Sequence, residues 1–152
     1  MLYALLKTLH VLAIVVWIGG MVFAHFFLRP ALASLEPPAR LRLMHDVLGR
    51  FFRAVMAASL LALLTGGWMM GAAAGGGAKL PWPWHVMAGL GLLMVAIFMH
   101  IRFALYKRLS RAVAASDWPA GGAALAQIRQ WVSANLAIGT LILLVTLPRW
   151  QG

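Results

Sequence analysis

The stretch LYALLKTLHVLAIVVWIGGMVFAHFFL, residues 2–28, holds a single lysine and no acidic side chain. About 20 helical residues cross a hydrocarbon core of about 30 Å, so this stretch predicts a membrane-spanning helix. Three further apolar runs of similar length occupy residues 51–73, 84–106 and 124–147. We therefore predict an all-α membrane protein, a bundle of four transmembrane helices that forms one domain over residues 1–152.

The composition supports this class of protein and excludes others. The chain is 63% hydrophobic, which is far above the range of ordinary soluble domains. It has no cysteine, which excludes disulfides, thiolate metal sites and iron–sulfur clusters. The net charge of +10 does not indicate nucleic acid, because the basic residues stand at the ends of the apolar runs. The expected partner is the lipid bilayer, and a homo-oligomer is compatible with this composition.

The basic residues predict the orientation in the membrane. The first and third connections, with their flanks, carry ten of them: Arg29, Arg40, Arg42, Arg50, Arg53, Arg102, Lys107, Arg108, Arg111 and Arg129. The second connection carries Lys79 alone. By the positive-inside rule, the two basic connections are cytoplasmic. We expect a bacterial inner-membrane protein with both termini in the periplasm.

Four histidines form two pairs with the same spacing. His10 and His25 lie in the first apolar run, and His85 and His100 lie 75 positions later in the third. This regularity indicates a duplicated helical hairpin. Ionisable residues within a membrane are costly, so these four are the first candidates for a functional site.

The spacing of the histidines places them at two depths. Fifteen residues of helix rise about 22 Å and leave a rotation of about 60°, so both members of a pair stay on one face. The first and third helices run in the same direction, which predicts that His10 pairs with His85 and His25 with His100. Paired imidazoles are suitable axial ligands for two b haems. The leading hypothesis is a dihaem b-type cytochrome that moves electrons across the membrane, with quinone as a redox partner.

Some basic residues have a second interpretation beside the topological one. Arg29, Arg53 and Arg102 are candidates to neutralise the propionates of the inner haem, and Lys7 is a candidate at the outer one. Positive-inside anchoring explains most of the arginines, and Lys7 is long enough to reach the interface from within the helix. His45, beside Asp46, is expected to be an ordinary interfacial residue.

Methionines support a competing hypothesis, copper transport. Seven lie in the predicted spans: Met21, Met56, Met69, Met70, Met87, Met94 and Met99. Thioethers and imidazoles are good ligands for Cu(I), although methionine is also a common packing residue in apolar helices. The three acidic residues lie outside the spans, which weighs against a proton-coupled carrier.

Several short motifs resemble a known family. The opening of the chain is similar to that of CopD-type copper-resistance membrane domains in Leu9-His10-Val11, Trp17-Ile18-Gly19-Gly20 and Phe27-Leu28-Arg29-Pro30. A later part of the chain resembles a later helix of the same domains, at His85, Met99-His100, Tyr106 and Arg108. The resemblance covers nearly the whole chain and implies copper uptake across the inner membrane.

The first helix is also similar to HemJ-type protoporphyrinogen oxidases, four-helix membrane proteins that bind haem. That resemblance implies an essential histidine, which His10 matches, and a lysine early in the third helix, where this chain has Met87. Small dihaem cytochrome b proteins that oxidise quinol or superoxide share the predicted four-helix plan.

Overall fold

The computed structural model describes residues 1–77 and 79–147. Four long helices account for nearly all of them: α1 Leu2–Ser34, α2 Pro37–Gly75, α3 Trp82–Ala114 and α4 Trp118–Thr146. Each is long and apolar enough to cross a membrane, and the described residues contain no strand. The prediction of an all-α, four-helix membrane protein is confirmed.

The helices run past the predicted spans at the basic end of the bundle, which we define as the end with the first and third connections. There α2 begins at Pro37 instead of residue 51, and α3 continues to Ala114 instead of residue 106. The polar, basic segments are therefore helical extensions and not loops. Proline is tolerated in the first turn of α2, where its missing N–H would have no partner. Asp117 caps α4, because its Oδ1 accepts a hydrogen bond of 3.0 Å from the Ala120 amide.

Two helices contain π-helical segments at similar positions. In α1 the segment is Phe23–Leu28, and in α3 it is Ile101–Leu105. The first contains His25, and the second directly follows His100. α1 and α3 are also equally long, at 33 residues each. Such segments are rare and occur often at functional sites, and their matched positions agree with a duplicated hairpin.

The helices pack as two antiparallel hairpins. α1 packs along α2, with the Phe51 ring against Gly20 and His10 beside Thr65. α3 packs along α4, where the Asn135 amide donates to the Met94 carbonyl oxygen. α1 and α3 lie diagonally across the bundle.

The interior is apolar and aromatic, and so is much of the exterior. The largest fully buried side chains are Phe52, Phe98, Met21, Ile101, Leu109, Ile128, Val55 and Asn135. Large apolar side chains are also exposed along all four helices, among them Val15, Leu64, Leu92 and Leu144. In water such a surface would aggregate, whereas in a bilayer it faces hydrocarbon. The protein is therefore a multi-pass membrane protein.

Candidate metal centre

A large cavity of about 800 Å³ opens between the helices at the end opposite the basic end. All four helices contribute to its lining, which is almost entirely apolar. His10 is the one histidine among its lining residues. We call this space the large cavity.

The hydrogen bonds of His10 determine its tautomer when the ring is neutral. Its Nδ1 lies 3.0 Å from the Ala62 carbonyl oxygen and 3.0 Å from Thr65 Oγ1. A carbonyl oxygen accepts hydrogen bonds and cannot donate, so Nδ1 carries the proton. The Thr65 hydroxyl has its own acceptors on α2 and can accept from His10. The neutral ring therefore keeps a lone pair on Nε2. In metal-binding histidines, a hydrogen bond from one ring nitrogen commonly orients the ring so that the other nitrogen can bind the metal.

Three methionines line the large cavity together with His10. Met70 belongs to α2, and Met87 and Met94 belong to α3. Thioether sulfur and neutral imidazole are soft ligands that suit Cu(I). Within residues 1–77 and 79–147, no three His, Asp or Glu side chains come together as a metal site. The donors that this cavity offers are thus one imidazole and the methionine sulfurs.

A second, smaller cavity of about 300 Å³ lies at the basic end. His25 lines it with Met44, and three arginines complete its polar lining. His25 Nδ1 is 3.3 Å from Ser133 Oγ, whose own proton goes to the Arg129 carbonyl oxygen at 2.9 Å. With the serine proton on that carbonyl oxygen, His25 Nδ1 is the donor and the lone pair lies on Nε2, although a hydroxyl partner does not impose this tautomer as the Ala62 carbonyl oxygen does for His10. We call this space the basic cavity.

His85 and His100 do not join these sites. Both are exposed on α3, and they line neither cavity. Gly89 and Ala96, on the same side of α3, are exposed as well. The opposite face of α3 is buried instead, through Met94, Ile97, Phe98 and Ile101. The expected pairs of His10 with His85 and of His25 with His100 are not formed within this chain, because the larger side chains of α3 occupy the interior.

The four predicted basic partners are dispersed. Arg29 lines the basic cavity near His25. Arg102 stacks on Tyr106, with 5.2 Å from its guanidinium carbon to the ring centroid. Arg53 and Lys7 are exposed and line neither cavity. The structure thus brings one of the four together with a candidate histidine.

His45 joins α2 to α3 at the basic end. Its ring stacks on Tyr106 at 5.1 Å between centroids, and its Nε2 is 2.9 Å from Ser110 Oγ. The Tyr106 hydroxyl donates to the His45 carbonyl oxygen at 3.1 Å, and Asp46 is 3.7 Å from Nδ1. These contacts give His45 a structural role at the helix–helix interface.

Sequence reasoning missed the polar residues that orient the histidines. Thr65 and Ser133 hold His10 and His25 from neighbouring helices, and Asn135 is 1% exposed in the core. The sequence could have indicated these residues, because hydroxyl and amide side chains are scarce in these spans and commonly hydrogen-bond between membrane helices.

Comparison with known proteins identifies the family. Residues 45–147 match the family model described as copper resistance protein D, or CopD. The matched range contains most of α2 and all of α3 and α4, whereas α1 lies outside it. No curated protein and no solved structure matches the chain. Because the match extends over more than half of its residues, the chain belongs to the copper resistance protein D family.

Proposed function

We propose that this protein carries copper, as Cu(I), across the bacterial inner membrane. The observation that carries the proposal is the hydrogen bonding of His10. Its Nδ1 is committed to Ala62 and Thr65, so its Nε2 is a ready metal ligand at an apolar cavity lined by methionines. The family description supports the choice of metal.

The large cavity is the entry site in this proposal. Cu(I) is a soft cation that tolerates an environment without carboxylates, provided that sulfur and imidazole replace its solvent ligands. Met70, Met87 and Met94 provide sulfur, and His10 provides nitrogen. Methionine is flexible, so the ligand set can rearrange as the ion enters and leaves.

The basic cavity is the second site on the path. His25 follows His10 by fifteen residues on α1, about 22 Å along the axis. Its Nδ1 contacts a hydroxyl group from another helix, which leaves Nε2 available as a ligand when Nδ1 is the donor. Met44 lines this cavity and adds a thioether. Two sites at two depths divide the passage across the bilayer into steps.

The orientation belongs to the same proposal. The basic end faces the cytoplasm according to the positive-inside rule, so the large cavity opens toward the periplasm with both termini. The metal ligands proposed for each cavity are the same in either orientation of the protein in the membrane.

The dihaem hypothesis is the alternative, and the exposure of two of its four ligands weighs against it. His85 and His100 would have to turn into the bundle, displacing buried side chains such as Phe98. Quinone as a partner depends on that hypothesis. A porphyrinogen oxidase is likewise less well supported, since Met87 lines the large cavity where that family's lysine is expected.

Proteoliposomes with an enclosed Cu(I) chelator separate these functions. We expect the wild type to accumulate Cu(I) inside and His10→Ala to lose most of that uptake. His85→Ala is the matched control, a histidine removed from the surface of α3, and should transport normally. A pyridine haemochrome assay on the same preparations measures haem. Two haems per chain, lost equally in His10→Ala and His85→Ala, would overturn the copper proposal in favour of the cytochrome.

A further inference from the structure

Three guanidinium groups from three different helices line the basic cavity. Arg29 comes from α1, Arg40 from α2 and Arg129 from α4. Arg40 and Arg129 are half-buried, so both charges are partly withdrawn from solvent. Arginines that serve only as topological anchors have no reason to gather around one cavity.

Among the residues that the structure describes, no carboxylate neutralises these charges. The lining of the basic cavity contains no acidic residue. In the described ranges 1–77 and 79–147, the one ion pair joins His45 and Asp46. Partly desolvated cations without a counter-ion are costly, so the cavity is suited to an anionic ligand.

The rest of the lining indicates what kind of anion it is. Leu32, Leu41, Leu48 and Leu125 form apolar walls beside the arginines. A small inorganic anion would bind the arginines and leave the leucine side chains uncovered. An amphiphile would contact both, with its charged group among the guanidinium groups and its hydrocarbon chain against the leucines.

We infer that the basic cavity binds the phosphate headgroup of an anionic phospholipid. Planar guanidinium groups bind phosphate oxygens in a bidentate manner, and basic pockets between helices on the cytoplasmic side are suited to anionic headgroups. The inference does not depend on copper transport, because it uses the arginines and leucines and not the histidine. A bound headgroup would offset the three positive charges that otherwise repel Cu(I) from His25 in the same cavity, so the two proposals are compatible. Free phosphate shares the headgroup chemistry and is separated by the test.

Native mass spectrometry of the full chain in detergent tests the inference. The protein is titrated with phosphatidylglycerol and, separately, with phosphatidylcholine of the same acyl composition. We expect clear preference for phosphatidylglycerol in the wild type. In the Arg40→Gln/Arg129→Gln variant, that preference should fall roughly thirtyfold, because two basic residues near the headgroup are lost at about 1 kcal/mol each.

The control removes the same charge from the same end of the bundle. Arg108 and Arg111 are exposed on α3 and line neither cavity, so Arg108→Gln/Arg111→Gln should retain the preference. An equal loss in both double variants would show general attraction to a basic surface and overturn the inference. Unchanged preference in Arg40→Gln/Arg129→Gln would overturn it as well.

Two further measurements keep the result interpretable. Far-UV circular dichroism checks that the variants fold. If the Arg40→Gln/Arg129→Gln variant does not fold, the single variant Arg129→Lys is measured in its place. That change keeps the charge but removes the bidentate fork, so it should weaken binding less than the loss expected for the double variant and more than the control does. Inorganic phosphate is added as a competitor, and displacement of the lipid at equimolar phosphate would identify a free-anion site and contradict the lipid assignment.

Discussion

The rings of Trp17 and Phe98 meet edge to face, with 6.0 Å between centroids and 68° between planes. This contact joins α1 and α3 across the diagonal of the bundle. Phe98 also meets Phe52 of α2 at 5.9 Å. Trp17 lines the large cavity, whereas Phe52 and Phe98 line neither cavity. Together the three rings form an aromatic layer between the two sites.

The aromatic layer should contribute strongly to stability. Phe98 is 2% exposed, and Phe98→Ala would leave a cavity in the centre of the bundle. We expect a loss of about 3–5 kcal/mol in the free energy of unfolding. Phe103→Ala is the control, since Phe103 is on the same helix but 51% exposed. Unfolding in detergent followed by circular dichroism measures both variants, and similar losses in the two would contradict the layer.

The interface at His45 should depend on one hydroxyl group. Tyr106→Phe keeps the ring that stacks on His45 but removes the hydrogen bond to the His45 carbonyl oxygen. We expect destabilisation of about 1 kcal/mol, the ordinary net contribution of a hydrogen bond. Tyr3→Phe, at an exposed position near the start of α1, should change nothing. Thermal unfolding of the two variants side by side provides the test.

Length and apolarity were sufficient to predict the four helices, because a membrane permits few other ways to satisfy the backbone. The ends were less predictable. The basic segment around Arg40 was predicted to be a connection, yet it is helical and extends α2 back to Pro37. Polarity marks where a helix leaves hydrocarbon and does not mark where it stops.

The candidate site was predictable for α1 and not for α3. His10 and His25 do line cavities, and their spacing along one helix determined their two depths. For α3, a helix that is apolar all round contains no pattern that shows which face is buried. Packing of Phe98 and Ile101 decided that face and left His100 outside. The repeat in sequence therefore does not give α1 and α3 equivalent positions for their histidines.

Copper affinity should depend on the hydroxyl that holds His10. Thr65→Val preserves shape but removes the Oγ1 acceptor 3.0 Å from Nδ1. Loss of such an orienting partner commonly weakens metal binding about 10–100-fold. Competition with a chromogenic Cu(I) chelator measures this. Thr140 is exposed, and its hydroxyl donates to the Leu136 carbonyl oxygen of its own helix, so Thr140→Val should bind Cu(I) as the wild type does. Equal affinity in Thr65→Val and the wild type would contradict a role for this hydroxyl group and leave the Ala62 carbonyl oxygen as the partner that orients His10.

Reporter fusions should locate the basic end. Alkaline phosphatase at the carboxyl terminus is expected to be active, because it folds in the periplasm. A fluorescent protein that folds in the cytoplasm should be active when inserted at residues 115–117, between α3 and α4. The reverse pattern would place the large cavity on the cytoplasmic side and reverse the proposed direction of entry.

Asn135 should control passage between the two sites without being needed for binding. On α4 it lies between Val132, which lines the basic cavity, and Gly139, which lines the large cavity. Its Nδ2 donates to the Met94 carbonyl oxygen at 3.3 Å, while its buried Oδ1 has no hydrogen-bond partner among the described residues. A polar oxygen in an otherwise apolar layer can stabilise a cation that crosses it.

The variant Asn135→Leu separates passage from stability. Replacing a buried, half-satisfied amide by an apolar group of similar size is often neutral for folding, so the unfolding temperature should stay within a few degrees. Cu(I) affinity should also be unchanged, because Asn135 lines neither cavity. Uptake into chelator-loaded proteoliposomes should nevertheless fall several-fold, with Thr140→Val as the nearby control. Wild-type uptake in Asn135→Leu would show that copper does not pass this residue, and a loss of Cu(I) affinity would place Asn135 in the binding site itself.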